Sequence, residues 1–340
     1  MGKILHITNH PGTIKNFKSV CKYLNISDDL QEENIYGVHG YTNEETANNI
    51  WKTYGNRLDE YDILLFTDTA MVARPFLQNL DKHKCKIIMY LTTRFNWGVP
   101  PEDTKFYKLF TETSRNPRVS FVADNIYDQY YAELHDIQMA CNTPIKLTPY
   151  LHPTNIMHTR NELFAWSRAS RAVNFVKYLD ERNIKYDIFG EGYKVDTGFT
   201  TGLESRPFRD QEHICEYKGL LHLPYQVNIQ GLWENLGYGI IYFIPSRTFI
   251  RELINKHTWY WWEEHKTKSL ELADRSIHLS EWYLPEHYGL FEYFDSWNHL
   301  KEITDTITDE HIINKKQYIS EFMKNNNLIN LEKWEKIIYK

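Results

Sequence analysis

Two stretches of this sequence carry side chains suited to gripping a phosphate-bearing ligand. The first runs from His222 through Leu223-Pro224-Tyr225-Gln226-Val227-Asn228 to Glu234 and Gly239. It reads as a strand end, a loop and a helix. Unbonded amides at a helix start make a ready anion site, here near Val227 and Asn228. Glu234 lies within the helix, where a carboxylate can accept two hydrogen bonds from a vicinal diol such as a ribose. Its alternative is an ordinary exposed Glu. Gly239 is expected to close the helix. The second stretch, Ser167-Arg168-Ala169-Ser170-Arg171, offers two guanidinium groups at the start of another helix. A guanidinium pairs bidentately with a diphosphate whose negative charge grows as it leaves; solvent-facing arginines are the alternative.

The N-terminal half holds a looser set. Asn9-His10-Pro11-Gly12 follows the first apolar run. Gly12 would let backbone approach a ligand closely. His10 is a candidate general base, or a turn residue. Asp68 and Asp124-Asn125 end later apolar runs, and Arg94 follows another. The fifteen His residues include no HExxH pair, and no Asp-x-Asp triplet occurs. No metal site is expected, and the paired Arg favour chemistry without one.

These residues need a frame. Lys3–Thr8, Tyr61–Phe66, Lys86–Leu91 and Val119–Val122 read as strands, and residues 13–24 as a helix. Continuous apolar strands separated by helices indicate a parallel sheet covered on both faces. Leu147-Thr148-Pro149-Tyr150-Leu151-His152-Pro153 punctuates the chain as a linker. A second α/β series follows: strands at 162–166, 185–189, 220–223 and 240–244, and helices at 170–182 and about 230–238. Phe189-Gly190-Glu191-Gly192 ends one of these strands in glycine. The expected organisation is therefore α/β with two Rossmann-like domains facing across a cleft. Residues 1–149, joined by a terminal helix over 315–340, form the first domain, and 150–314 the second. Ligands of such folds sit at the carboxyl ends of the strands.

Composition narrows the rest. At 340 residues, with 42% apolar and 25% charged residues, the chain can bury two cores. A net charge of -6 argues against nucleic-acid binding. Cys21, Cys85, Cys141 and Cys215 are scattered without a CxxC pair. That spacing fits a reducing compartment, and with no signal peptide a cytoplasmic location is expected. No apolar run approaches the ~20 residues needed to span a bilayer. Trp259-Tyr260-Trp261-Trp262 and Glu281-Trp282-Tyr283 read as packing between loop and core, with an aromatic wall as the alternative.

The 222–246 stretch resembles the signature of the large retaining glycosyltransferase family that includes sucrose and glycogen synthases. Tyr225-Gln226 stands where that family has Tyr-Glu, Glu234 stands at its second Glu, and Gly239 at its closing glycine. Arg168 and Arg171 resemble its donor-phosphate clamp, and Gly190 its Gly-x-Gly. The resemblance implies the GT-B architecture and transfer of a sugar from a UDP- or GDP-linked donor, used as substrate with no cofactor. It also implies a glycan or other hydroxyl acceptor, retention of configuration, and no metal. Glu234 would bind the donor ribose; Gly12, Arg168, Arg171, Gly190, Val227 and Asn228 would complete the donor side. Asn9 and Asp68 would face acceptor, and His10, Arg94 and Gln226 are the candidate catalytic residues. Gln226 departs from the family's acid. That departure leaves a non-catalytic carbohydrate- or nucleotide-binding protein on the same scaffold as an alternative. An inverting transferase with His10 as base, or a sugar-nucleotide epimerase, are the others.

Overall fold

The computed structural model describes residues 3–8, 10–26, 30–33, 41–153, 158–166, 175–190, 206–207, 209–263 and 270–339. The chain divides into two compact units, one of residues 1–149 and 326–340, the other of 150–325.

In the first unit the strands are β1 (Ile4–Ile7), β2 (Leu30–Glu33), β3 (Ile63–Asp68), β4 (Lys86–Leu91) and β5 (Val119–Ala123). They form one sheet in the order β2-β1-β3-β4-β5, and every pairing is parallel. Helices α1 (Pro11–Tyr23), α2 (Glu44–Tyr54), α3 (Arg74–Leu77), α4 (Thr104–Thr113) and α5 (Ile126–Glu133) alternate with them. β3 and β4 are buried along almost their whole length. That is the reason they read as unbroken apolar runs: helices cover both faces of the sheet. β2, with the sequence Leu-Gln-Glu-Glu, is an edge strand that no apolar run announces. The helix Asp309–Tyr339 contributes its last residues to this unit. There Trp334 is fully buried, with its ring 5.3 Å from Phe17 and 5.0 Å from Tyr90.

The second unit contains β6 (Leu163–Trp166), β7 (Tyr186–Gly190), β8 (Arg206–Pro207), β9 (Gly219–Leu221), β10 (Tyr242–Pro245) and β11 (Phe291–Phe294). Their order is β11-β10-β9-β6-β7-β8, again all parallel. Helices α6 (Phe175–Asp180), α7 (Gln211–Cys215), α8 (Gln230–Gly237) and α9 (Arg247–Asn255) connect these strands, followed by the helices Leu270–His278 and Trp297–Thr306. Numbered within the unit, the strand order is 3-2-1-4-5-6 of the doubly wound dinucleotide-binding sheet. Gly219 opens β9 because nothing larger fits: a Cβ there would stand 2.7 Å from the Ile241 carbonyl oxygen and 2.5 Å from the Phe243 ring.

Both units are thus Rossmann-like α/β sheets. In each, the strand order reverses at one place, between β1 and β3 in the first and between β6 and β9 in the second. In sheets of this winding, ligands sit at such a crossing, at the carboxyl ends of the strands.

Candidate functional site

At the β6/β9 crossing, β9 ends at Leu221 and the loop 222–229 leads into α8. Five consecutive carbonyls of that loop are taken up by hydrogen bonds. Trp259 Nε1 donates to Pro224 O at 2.8 Å, the Trp262 amide to Tyr225 O at 2.7 Å, and Trp282 Nε1 to Gln226 O at 2.9 Å. The Glu281 amide donates to Val227 O at 2.9 Å, and Gln226 Nε2 to Asn228 O at 2.7 Å. In a trans peptide the N–H points opposite to the C=O. Each of these peptide planes, from Pro224 to Asn228, is therefore fixed by a hydrogen bond to its carbonyl.

The helix start that follows is open among the described residues. Ile229 is the N-cap of α8, and it makes no side-chain cap bond. Leu232 N returns to Ile229 O at 3.0 Å. A Cβ placed on Gly231 would meet nothing within 4 Å among the described residues. Glu234 lies three residues on, so it shares that face of the helix with Gly231. Gln230, Gly231, Glu234 and Tyr238 are the partly exposed stripe of the segment, while Leu232, Trp233, Asn235, Leu236 and Gly237 are buried. Glu234 Oε2 accepts from Gln211 Nε2 at 3.3 Å, at the start of α7. The helix closes as a Schellman motif: Gly239, at φ 72°, donates to Leu236 O at 2.9 Å, and Ile240 donates to Asn235 O at 3.1 Å. Gly190 ends β7, the strand beside β6. Arg168, Arg171 and Asn9 lie outside the described residues.

Gln226 is not presented as a catalytic side chain. Its amide folds back onto Asn228 O, so it braces the loop from within.

The β1/β3 crossing is built the other way. His10 is the N-cap of α1, and its Nδ1 accepts the Gly12 amide at 3.1 Å. His10 N donates to Thr8 Oγ1 at 3.2 Å, and Thr13 N to His10 O at 3.1 Å. Pro11 has no N–H. All four leading positions of this helix are therefore accounted for, and the Gly12 amide is turned inward rather than offered to a ligand. With Nδ1 acting as acceptor, the neutral His10 ring carries its proton on Nε2. Neither nitrogen of that tautomer is available to take a proton while the cap is in place.

Beneath the cap runs a buried chain of polar groups that the sequence did not single out. His6 Nε2 meets Thr67 Oγ1 at 2.9 Å, Thr67 Oγ1 donates to Thr13 Oγ1 at 2.8 Å, and Thr13 Oγ1 donates to His10 O at 2.9 Å. Thr8 Oγ1 also meets Thr13 Oγ1, at 2.9 Å. Each hydroxyl has one proton, so these roles make His6 Nε2 the donor at the head of the chain. Burial, reinforced by the charge of Lys18, lowers the His6 pKa to about 3, and the ring stays neutral. Asp68, the last residue of β3, sits at φ 73°. A left-handed turn of this kind is tolerated by Asp better than by most residues.

Arg94 lies close by in sequence to the end of β4, but it is buried rather than presented. Its Nη1 is 3.6 Å from Asp128 Oδ1, and its guanidinium lies 5.2 Å from the centre of the Trp97 ring. Asn125 Nδ2 bridges Asp124 Oδ1 at 2.5 Å and Asp128 Oδ2 at 2.6 Å. Burial pushes the Asp128 carboxyl up, against the opposing pull of Arg94. The pairing explains Arg94 without any ligand.

No protein-family model matches the chain, and no curated protein is similar to it. Solved structures with some likeness include CalG4, the calicheamicin glycosyltransferase, at TM-score 0.47 and 10% identity over 99% of this chain and 98% of that one. The glycosyltransferase SnogD from Streptomyces nogalater has TM-score 0.47 and 9% identity over 96% and 99%. The glycosyltransferase VinC, solved in complex with DTDP, has TM-score 0.43 and 9% identity over 99% and 98%.

Among the described residues no group of three or more His, Cys, Asp or Glu stands together as a metal site. No helix among them is long and apolar enough to cross a membrane.

Proposed function

We propose that this chain is a glycosyltransferase of GT-B architecture that takes a sugar from a UDP- or GDP-linked donor. The observation that carries the reading is the β9–α8 connection. It lies at the topological crossing of a doubly wound sheet, and hydrogen bonds to the carbonyls from Pro224 to Asn228 fix its backbone. It continues into an uncapped helix start with Glu234 on the same face. Amides and a positive helix end suit a diphosphate. A carboxylate three residues along suits the ribose hydroxyls. The resemblance of the same segment to the retaining glycosyltransferase signature points to the same ligand.

In this reading Arg168 and Arg171 hold the leaving diphosphate, and the loop amides near Val227 and Asn228 complete its site. The bond between the anomeric carbon and the diphosphate oxygen breaks. The acceptor hydroxyl oxygen bonds to that carbon, and its proton passes to the departing phosphate. No metal and no protein base are needed, and configuration is retained. The cap at His10 favours this course over inversion, because His10 has no free nitrogen lone pair for the acceptor proton. The units carrying residues 1–149 and 150–325 would serve acceptor and donor respectively, with Asn9 and Asp68 on the acceptor side.

One observation favours a second reading. Gln226 replaces a carboxylate and is tied to Asn228 O, which suits a protein that binds the nucleotide sugar without turning it over. A thermal-shift series with UDP, GDP, ADP, CMP and dTDP tests the site, with Glu234→Ala beside the wild type. A ligand that binds only the folded state raises its stability. Stabilisation of the wild type by one diphosphate and not of the variant supports the site. Stabilisation by none removes it. Sugar release or transfer from the matching donor then separates enzyme from binder.

A further inference from the structure

We propose that Gln211 is a positioning residue for Glu234 and, through it, selects a ribonucleotide over the 2′-deoxy form. The inference rests on the donor reading above.

The two side chains come from separate helices, each anchored by its own buried side. α7 buries His213, Ile214 and Cys215, and the His213 ring stands edge-on to Phe189 with centres 4.9 Å apart. Asp210 caps this helix by accepting the His213 amide at 2.9 Å, which makes Gln211 its first residue. α8 is held through Tyr242, fully buried in β10: Asn235 Nδ2 donates to Tyr242 Oη at 2.8 Å, and Tyr242 Oη donates to Gly231 O at 3.3 Å. Gln211 and Glu234 are the partly exposed members, and Gln211 Nε2 donates to Glu234 Oε2 at 3.3 Å across 23 residues of sequence. A carboxylate has acceptors only, so the amide must turn its nitrogen toward it. Glu is a flexible side chain that loses rotamer freedom when it is held. A bond from a second anchored helix holds the carboxylate before any ligand arrives. Two vicinal hydroxyls must both donate to one carboxylate, and that demands a set plane. A carboxylate already oriented loses less freedom on meeting them. A single hydroxyl makes no such demand, so the gain belongs to the diol. Gly231, on the same face as Glu234, leaves room for the sugar ring: a Cβ there would meet nothing within 4 Å among the described residues. A mere tie between α7 and α8 would affect stability and not the choice of sugar.

Gln211→Leu keeps the bulk of the side chain and removes the donor. By calorimetry, the wild type should bind UDP or GDP, whichever it takes, about tenfold more tightly than the 2′-deoxy counterpart, as for one lost hydrogen bond to a charged group. In Gln211→Leu the ratio should fall to about threefold, the loss coming from the ribose form alone, whatever the melting temperature. The contact itself is read without ligand, by nitrogen labelling of the Gln side-chain amides. The signal missing from Gln211→Leu is that of Gln211, and in Glu234→Ala it should move upfield, the direction for loss of a hydrogen bond. A signal that stays in place overturns the proposal. So does a wild type that binds both sugar forms equally, or a Gln211→Leu ratio equal to that of the wild type. If the signal moves and the wild type binds neither UDP nor GDP, the contact stands and the donor reading falls, and the selectivity with it.

Discussion

The two sheet crossings of this molecule use similar parts to opposite ends. Each has a strand ending at a reversal of strand order, a short loop, and a helix start. At the β1/β3 crossing the helix caps itself: His10, Thr8 and the missing N–H of Pro11 leave no amide of the first turn facing outward. At the β6/β9 crossing the cap residue is Ile229, whose side chain has nothing to donate or accept, and the loop carbonyls are drawn away instead. Fold topology alone marks both places as candidate crevices. Capping chemistry separates them: one helix end has met its own hydrogen bonds, and the other needs a partner. An anion is the natural partner, because an uncapped start exposes several donors and the positive end of the helix dipole together.

The largest expected effect tests how firmly the sealed side is built. Asp128→Ala leaves the Arg94 guanidinium buried without its carboxylate, and should cost about 3–5 kcal/mol in urea unfolding. A loss below about 1 kcal/mol would mean that Arg94 is free to turn toward a ligand, and the contrast between the crossings would weaken.

Next comes pH. The His6 pKa falls from an ordinary 6.5 to about 3 on folding. The unfolded chain therefore binds the extra proton first, and stability that is fully present above pH 6.5 is lost as pH falls toward 3. At pH 5 this one group should remove about 2 kcal/mol relative to pH 7. His6→Gln should lose that part of the acid sensitivity. Identical pH profiles for wild type and variant would show that the buried chain under α1 is not anchored by a neutral imidazole.

The smallest effects come from exchanging the two caps. His10→Ala should cost about 1 kcal/mol, the usual worth of an N-cap bond. If residue 10 were a base in transfer, turnover would also fall far more than stability does. Ile229→Asp should do the reverse at the other helix. It supplies a cap and a favourable charge, worth about 1 kcal/mol of added stability, and it should abolish the thermal shift produced by UDP or GDP. Retained binding in that variant would place the diphosphate elsewhere.

The strands were the most legible part of the sequence. β3, β4 and β10 are buried on both faces, so nearly every position had to be apolar, and the runs stand out. β2 was hidden because an edge strand needs only backbone pairing to β1, which Leu-Gln-Glu-Glu provides as well as any sequence. Gly239 was readable for a similar reason: one backbone angle demanded one residue type. The roles of Gln226 and Arg94 were not readable. Residue type and position after a strand are the same whether a side chain faces a ligand or folds back on a carbonyl or a carboxylate.

The sequence by itself therefore determined the alternation of strands and helices, and with it the doubly wound character of both units. Periodicity of burial is a local property that each segment must satisfy alone. It also placed Glu234 on a helix after a strand end. Only the tertiary structure decided what stands behind each crossing. The loop after β9 and the threonines under α1 are held by hydrogen bonds between residues 35 to 61 positions apart, Trp259 with Pro224, Trp282 with Gln226 and His6 with Thr67. Such pairings are set by how the sheets bring distant segments together, and no local pattern encodes them.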